Sequence, residues 1–431
     1  MNIFSLKWIR RLILTSIYIL GTLGIVGSGG GGGFECLGFD VIDPACVDPT
    51  DPPVFPPPPL AVGVGFSGRV NSIASALDGS DDVYVGGFFQ IYNNSSVRFI
   101  GRLNNDGSLD TGFVTGRGFD SGVDAVSPAI DGSGDVYVGG LFTKYDLADA
   151  FRIARLNLDG SLDALFDTGT GFGPRVNIFD SRVNIIVPAI DDSGDIYVGG
   201  SFTSYNGTNV GSGLIRLNDN GSLDAGFSTG SGWGEFGIAL ATDGSGDVYV
   251  ARSSSPGIAR LNNDGSIDAG FDTGPSGFND AVRTIAVATD GSGDIYVAGR
   301  FSDYNGTVTN GLARLNNDGS LDAGFVTDAE FVGRGAFITP AIDGSGDIYV
   351  DSNISGDIVR INDDGSIDTG FDIGPYGFED PGPFGSDYPL RSAALATDGS
   401  GDVYVGGRFN LFDLSPANYM VRLTSGGTLV R

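Results

Sequence analysis

One phrase, an aspartate turn followed by a short apolar strand, recurs seven times after residue 60, as in DGSGDVYVGG at 131–140. The turns open at Asp78, Asp131, Asp191, Asp243, Asp290, Asp343 and Asp398, at spacings of 53, 60, 52, 47, 53 and 55 residues. Recurrence at such a period stacks copies of one supersecondary unit rather than several unrelated domains. Each copy holds four short segments: an apolar run such as TIAVA (284–288), a VYV or IYV strand, an ARLN strand and an LDAGF segment. Asp-Gly and Asn-Gly dipeptides, the strongest short hairpin signals, join them. No segment keeps a helical period of useful length. The pattern predicts an all-β chain, a seven-bladed β-propeller of four-stranded antiparallel blades.

Two details place the first segment innermost. Alanine stands two residues before every turn (Ala76, Ala129, Ala189, Ala241, Ala288, Ala341, Ala396), as crowding round an axis requires. Pro128, Pro188 and Pro340 precede that alanine in three copies. Proline cannot donate to a ladder and belongs on an exposed edge. The last copy stops at RLTSGGTLVR, short of its D-x-G-F segment, while VGVGFSGRV (62–70) matches TGRGFDSGV (115–123). Residues near 58–66 are therefore expected to supply the outer strand of the last blade, so that N- and C-terminal strands close the ring and leave no loose edge.

The preceding residues differ in kind. Lys7, Arg10 and Arg11, then the 15 residues Leu12–Val26, then Gly27 and Ser28, form a signal peptide (or membrane anchor) over 1–28. Fifteen apolar residues are few for a span, which needs ~20. IVGS at 25–28 resembles a lipoprotein box, but Ser28 replaces the acylated cysteine. Residues 29–57 form a Gly/Pro-rich stalk, and 58–431 the propeller. Such a chain is exported in a bacterium, secreted or held at the cell surface or in the periplasm. It meets a membrane only through an uncleaved N-terminal segment. Cys36 and Cys46 are its only cysteines and suit one disulfide outside the cytoplasm.

The formal net charge of −29 disfavours nucleic acid as a partner, and the absence of histidine removes the usual general base and metal ligand. Asp131, Ser133 and Asp135 copy the first three ligand positions of an EF-hand, as do Asp243, Ser245 and Asp247, and Asp290, Ser292 and Asp294. These are the candidate Ca2+ ligands. Val136 and Phe142 stand where an EF-hand needs glycine and glutamate. The same residues serve as turn formers, Asp and Ser bonding their own backbone. The arginine of RLN recurs in all seven copies (Arg102, Arg155, Arg216, Arg260, Arg314, Arg360, Arg422), so it is expected to pair with an Asp of the LD or GD positions. The tyrosine of VYV is expected to pack between blades. Asp351, Glu330 and Glu235 break the repeat and are the acids to inspect for catalysis. No catalytic constellation is legible.

Copies one, two, three, five and seven carry long hairpins after VYV, and copies four and six short ones. The hairpin aromatics Tyr92, Tyr145, Tyr205, Tyr304 and Phe412 are candidate ligand-binding residues, for stacking on a sugar or anchoring a protein. Packing beneath their own hairpins is the alternative.

The phrases GDVYVGG (134–140), YNG (205–207, 304–306) and ARLNNDGSLDAGF (313–325) resemble the bacterial delta-60-repeat β-propeller family. The resemblance covers 62–431 and implies a propeller of exported proteins, functionally uncharacterised, with no catalytic residues to carry over. Three functions fit: a monomeric, non-enzymatic module binding a protein or glycan through its hairpin face, a calcium-assisted lyase or glycosidase with a site near the axis, and a structural cell-surface component.

Overall fold

The computed structural model describes residues 65–430 apart from 174–180, 212, 231–232, 234–236, 253–256, 328–332, 353–357 and 380–388. The chain divides into Met1–Leu60 and Ala61–Arg431. The expected leader and stalk, with both cysteines, lie outside the described residues.

Every described element of Ala61–Arg431 is a strand or turn, and the architecture is a β-propeller. Each repeat copy forms a three-stranded antiparallel sheet. In the second copy Val123–Pro128 pairs with Val136–Gly140, which pairs with Ile153–Leu156. The turn between the first two strands closes through Ala129 N donating to Asp135 O at 2.9 Å, and its glycines take the positive φ that Asp-Gly-Ser-Gly permits (79° at both Gly132 and Gly134). The central strand is buried on both faces, while the first strand is mixed. That first strand lies at the sheet edge, as its prolines and alanines require, and the seven alanines are all buried. Each first strand also packs against the first strands of the neighbouring copies, and Leu390–Leu395 packs against Val70–Ser75.

The core lies between sheets. Gly139 faces Val183 of the third copy, and a Cβ there would stand 2.4 Å from Val183 Cγ1. Tyr84 donates from its hydroxyl to Gly134 O of the next copy at 3.0 Å, so the expected packing between sheets holds. Arg260 Nη1 likewise reaches Asn317 Oδ1 at 2.8 Å, and Arg422 Nη1 reaches Asn105 O at 3.0 Å.

The fourth segment differs from the expected strand. It contributes one bridge per copy, such as Leu103 with Leu109 and Leu156 with Leu162. The cause is the following aspartate. Asp110 Oδ1 accepts from Gly112 N at 2.7 Å, and this side-chain turn bends the chain away after a single pair. The link between copies then pairs with the next hairpin, as Phe119 does with Tyr145. Phe66 does the same with Tyr92 and donates from its amide to Asn418 O at 3.3 Å. Residues 58–64, named for the outer strand, lie outside the described residues.

Candidate functional site

At the aspartate-turn end, each sheet encloses one guanidinium. Arg155 Nη2 stands 2.5 Å from Asp131 Oδ2, and its Nε stands 2.9 Å from Asp135 Oδ2 and 3.5 Å from Asp163 Oδ2. Its guanidinium lies 5.3 Å above the centre of the Tyr137 ring. Arg260 is held in the same way by Asp243, Asp247 and Asp268, and Arg314 by Asp290, Asp294 and Asp322. Val430 takes the place of the third aspartate in the last copy, leaving Arg422 with Asp398 and Asp402. Both expected partners are present. The first aspartate of the turn joins them, which sequence reasoning missed.

The candidate calcium ligands are the walls of these cages. Ser133, Ser245 and Ser292 donate their amides to Asp131, Asp243 and Asp290 at 2.9, 3.0 and 2.9 Å. Their hydroxyls accept from the amides of Asp135, Asp247 and Asp294 at 3.1, 3.1 and 3.0 Å. Carboxylates that would face calcium in an EF-hand-like loop face a guanidinium here. Among the described residues no group of three or more His, Cys, Asp or Glu is placed to hold a metal ion. Partial burial lifts the first carboxyl of the turn, but the bonds from serine and arginine outweigh it, holding Asp131 below its ordinary value and Asp243 and Asp343 at about 2.

The hairpin aromatics are a correction. Tyr92, Tyr145, Tyr205, Tyr304 and Phe412 are buried, between 1% and 9% exposed, and offer no ring face to a ligand. Tyr92 and Tyr304 donate to Gly107 O and Gly319 O, each at 2.5 Å, and Tyr145 and Tyr205 donate to Gly160 O and Gly221 O. Phe412 packs 4.8 Å from Phe378. Each ring pins its hairpin back onto the sheet. Side chains at the hairpin tips point outward instead, notably Leu147 and Leu414, exposed at φ 75° and 63°. Of the acids that break the repeat, Asp351 is buried and accepts from Ala336 N at 2.8 Å, bracing its own strand pair. Glu235 and Glu330 lie outside the described residues.

A feature absent from the sequence reading lies where the first strands begin, at the hairpin end. Among the described residues the ladder slips by one residue in five copies, after its first pair in four of them and after its second in the third copy. The extra residues are Asn71, Asp124, Asn184, Arg283 and Arg391, polar in every case but of three different types. Such bulges re-aim one side chain without ending the pairing. Asn71 Nδ2 donates to Asp124 Oδ1 at 3.0 Å, and Arg182 grips Asp124 through Nη2 at 2.7 Å and Nε at 3.1 Å. Arg69 lies among them. Burial lowers its basicity, and the charges of Arg391, Arg182 and Arg408 lower it further against the pull of Asp124. Its Nε is buried without an acceptor, as is Asn184 Nδ2 without one. Burial also lifts Asp124, against the attraction of Arg182.

Five segments, 80–113, 132–166, 193–227, 240–271 and 291–325, match the family described as Domain of unknown function (DUF5122) beta-propeller. These repeats are similar to those of the DUF5122 propeller. No curated protein matches the chain. Solved structures similar to it include a streptogramin B lyase, at 14% identity, 80% of this chain, 94% of that one and a TM-score of 0.45. The WD40 β-propeller domain of Doa1 is similar at 16% identity, 80% and 91% coverage and a TM-score of 0.49. A functionally unknown protein from Desulfotomaculum acetoxidans DSM 771 is similar at 18% identity, 69% and 84% coverage and a TM-score of 0.44.

Proposed function

We propose that the chain is an exported, monomeric, non-enzymatic binding module, a seven-bladed propeller that takes a protein or glycan on its hairpin side. The observation that carries this reading is where the repeat fails. At the aspartate-turn end every copy holds its arginine between the same two turn aspartates, which is what a scaffold needs and a specific site does not. At the hairpin end the bulge residues, hairpin lengths and tip residues vary among the copies. Differences of that kind supply recognition on a repeated frame. Closure of the ring is supported by Arg422, whose Nη1 reaches Asn105 as Arg260 Nη1 reaches Asn317, and by Phe66, whose amide donates to Asn418 O as that of Phe119 donates to Arg98 O. Export rests on the leader-like residues 1–28, and the exclusion of nucleic acid on the net charge.

The test is binding of the purified full-length chain to an array of neutral and acidic oligosaccharides and to surface proteins, with bound ligand recovered and weighed by mass spectrometry. Saturable binding with ligand recovered unchanged is the expected result. Cleaved ligand would replace this reading with a carbohydrate-active enzyme, and concentration-dependent assembly without ligand would replace it with a structural component.

A further inference from the structure

The geometry points to the hairpin-side mouth of the first strands, around Arg69, Asn71, Asp124, Arg182 and Arg391, as a binding site for the carboxylate of an acidic saccharide. The inference rests on the reading of the hairpin side as the binding face. These residues come from four consecutive first strands or their entries, those that open at Leu390, Val70, Val123 and Arg182 and pack on one another. The chain carries a net charge of −29, yet here the arginines outnumber the acid. Among the described residues of the mouth, Asp124 is the one carboxylate that the arginines share, and Arg182 already engages both its oxygens.

Arg69 and Arg391 thus stand beside a carboxylate that is already gripped. Burial lowers the basicity of Arg69, and the charges of Arg391 and Arg182 lower it further against the pull of Asp124. Its guanidinium is also held in place, 4.2 Å above the centre of the Phe88 ring, so little side-chain entropy is lost when an anion arrives. Arg391 is exposed and Arg182 is 39% exposed, so a ligand can reach both. A planar oxyanion matches two guanidinium forks. The carboxamide oxygens of Asn71 and Asn184 add acceptors for hydroxyls, which a uronic acid carries beside its carboxylate. A long polyanion is disfavoured because the rest of the surface repels it.

The experiment is calorimetric titration of the full-length chain with trigalacturonate, against neutral galactotriose and inorganic phosphate, in wild type, Arg391→Gln and Arg69→Lys. Saturable binding of trigalacturonate is expected, weakened about 10- to 100-fold by Arg391→Gln, the usual loss when a charge-assisted hydrogen bond is removed. Arg391 is exposed, so its substitution leaves folding intact, and melting of both variants checks this. Arg69→Lys keeps the charge but loses the fork and is expected to weaken binding by about 10-fold. Phosphate binding as tight as that of trigalacturonate would overturn the saccharide assignment. Neutral galactotriose bound equally well, or trigalacturonate bound equally by Arg391→Gln, would overturn the site while leaving the hairpin-side reading standing. Absence of any binding to trigalacturonate overturns the inference.

Discussion

At the scale of single residues, the arginine cage decides how this acidic protein stays folded. Removing one partner from a buried ion cluster strands the others, at about 3–5 kcal/mol. Arg155→Met is therefore expected to lower the free energy of urea unfolding by about 3 kcal/mol, and a loss below about 1 kcal/mol would show the carboxylates to be solvated. The cages also set the acid limit. The first aspartates of the turns have native values below the ordinary ~3.9, those of Asp243 and Asp343 at about 2. A depressed carboxyl contributes stability that is complete above the unfolded value and is lost as pH falls through the native one. With no histidine to titrate, melting temperature should stay flat from pH 8 to 5, then fall steeply between about pH 4 and 2. A transition near pH 6 would refute that assignment. Millimolar calcium against EDTA should move melting by less than about 1 °C, because the carboxylate oxygens are engaged by arginine. A large rise would place calcium among the turns instead.

At the scale of elements, each hairpin is pinned by an aromatic ring and strained at its tip. Tyr145→Phe removes one hydrogen bond to Gly160 O and is expected to cost about 1–2 kcal/mol with ligand binding unchanged. Leu147 takes φ 75° where the third and fifth copies have the glycines Gly207 and Gly306. Leu147→Gly should therefore stabilise the fold by about 1 kcal/mol in chemical denaturation, and destabilisation would mean the exposed leucine packs against something. These strands and hairpins were legible in the sequence because their signals are local: alternating VYV runs, Asp-Gly and Asn-Gly turns, and alanine at the crowded edge. The role of the hairpin aromatics was not, since a tyrosine at a tip reads alike whether its ring faces solvent or folds back onto Gly160. The basic mouth was hidden for a different reason. Asn71, Asp124, Asn184, Arg283 and Arg391 share a position only because the ladder slips there, and their nearness is set by neighbouring sheets more than fifty residues apart in sequence. The readable trace was small: the residue after the opening Val or Leu changes while those around it repeat.

At the scale of the whole molecule, the question is whether the seam between the last copy and the first is as tight as the others. Gly139 and Gly406 occupy the same position in their sheets. A Cβ on Gly139 would meet Val183 Cγ1 at 2.4 Å, and one on Gly406 would meet Val70 Cγ1 at 2.5 Å, across the seam. Overpacking of this kind costs about 1–3 kcal/mol when neither side can give way. Neither Val183 nor Val70 is exposed, and each belongs to a first strand wedged between two others. If the ring is closed, Gly139→Val and Gly406→Val should lower the free energy of urea unfolding by the same amount, within about 0.5 kcal/mol, and unfolding should remain a single transition. An open seam would give a different pair of results. The first and last sheets would part to admit the valine, so Gly406→Val would cost little while Gly139→Val kept its full cost. The terminal copies would then melt before the rest, as the ends of a linear array do. The comparison is internal, so it does not depend on knowing the total stability, and it separates a ring held by Arg422, Phe66 and Val70 from a row of sheets that merely curves.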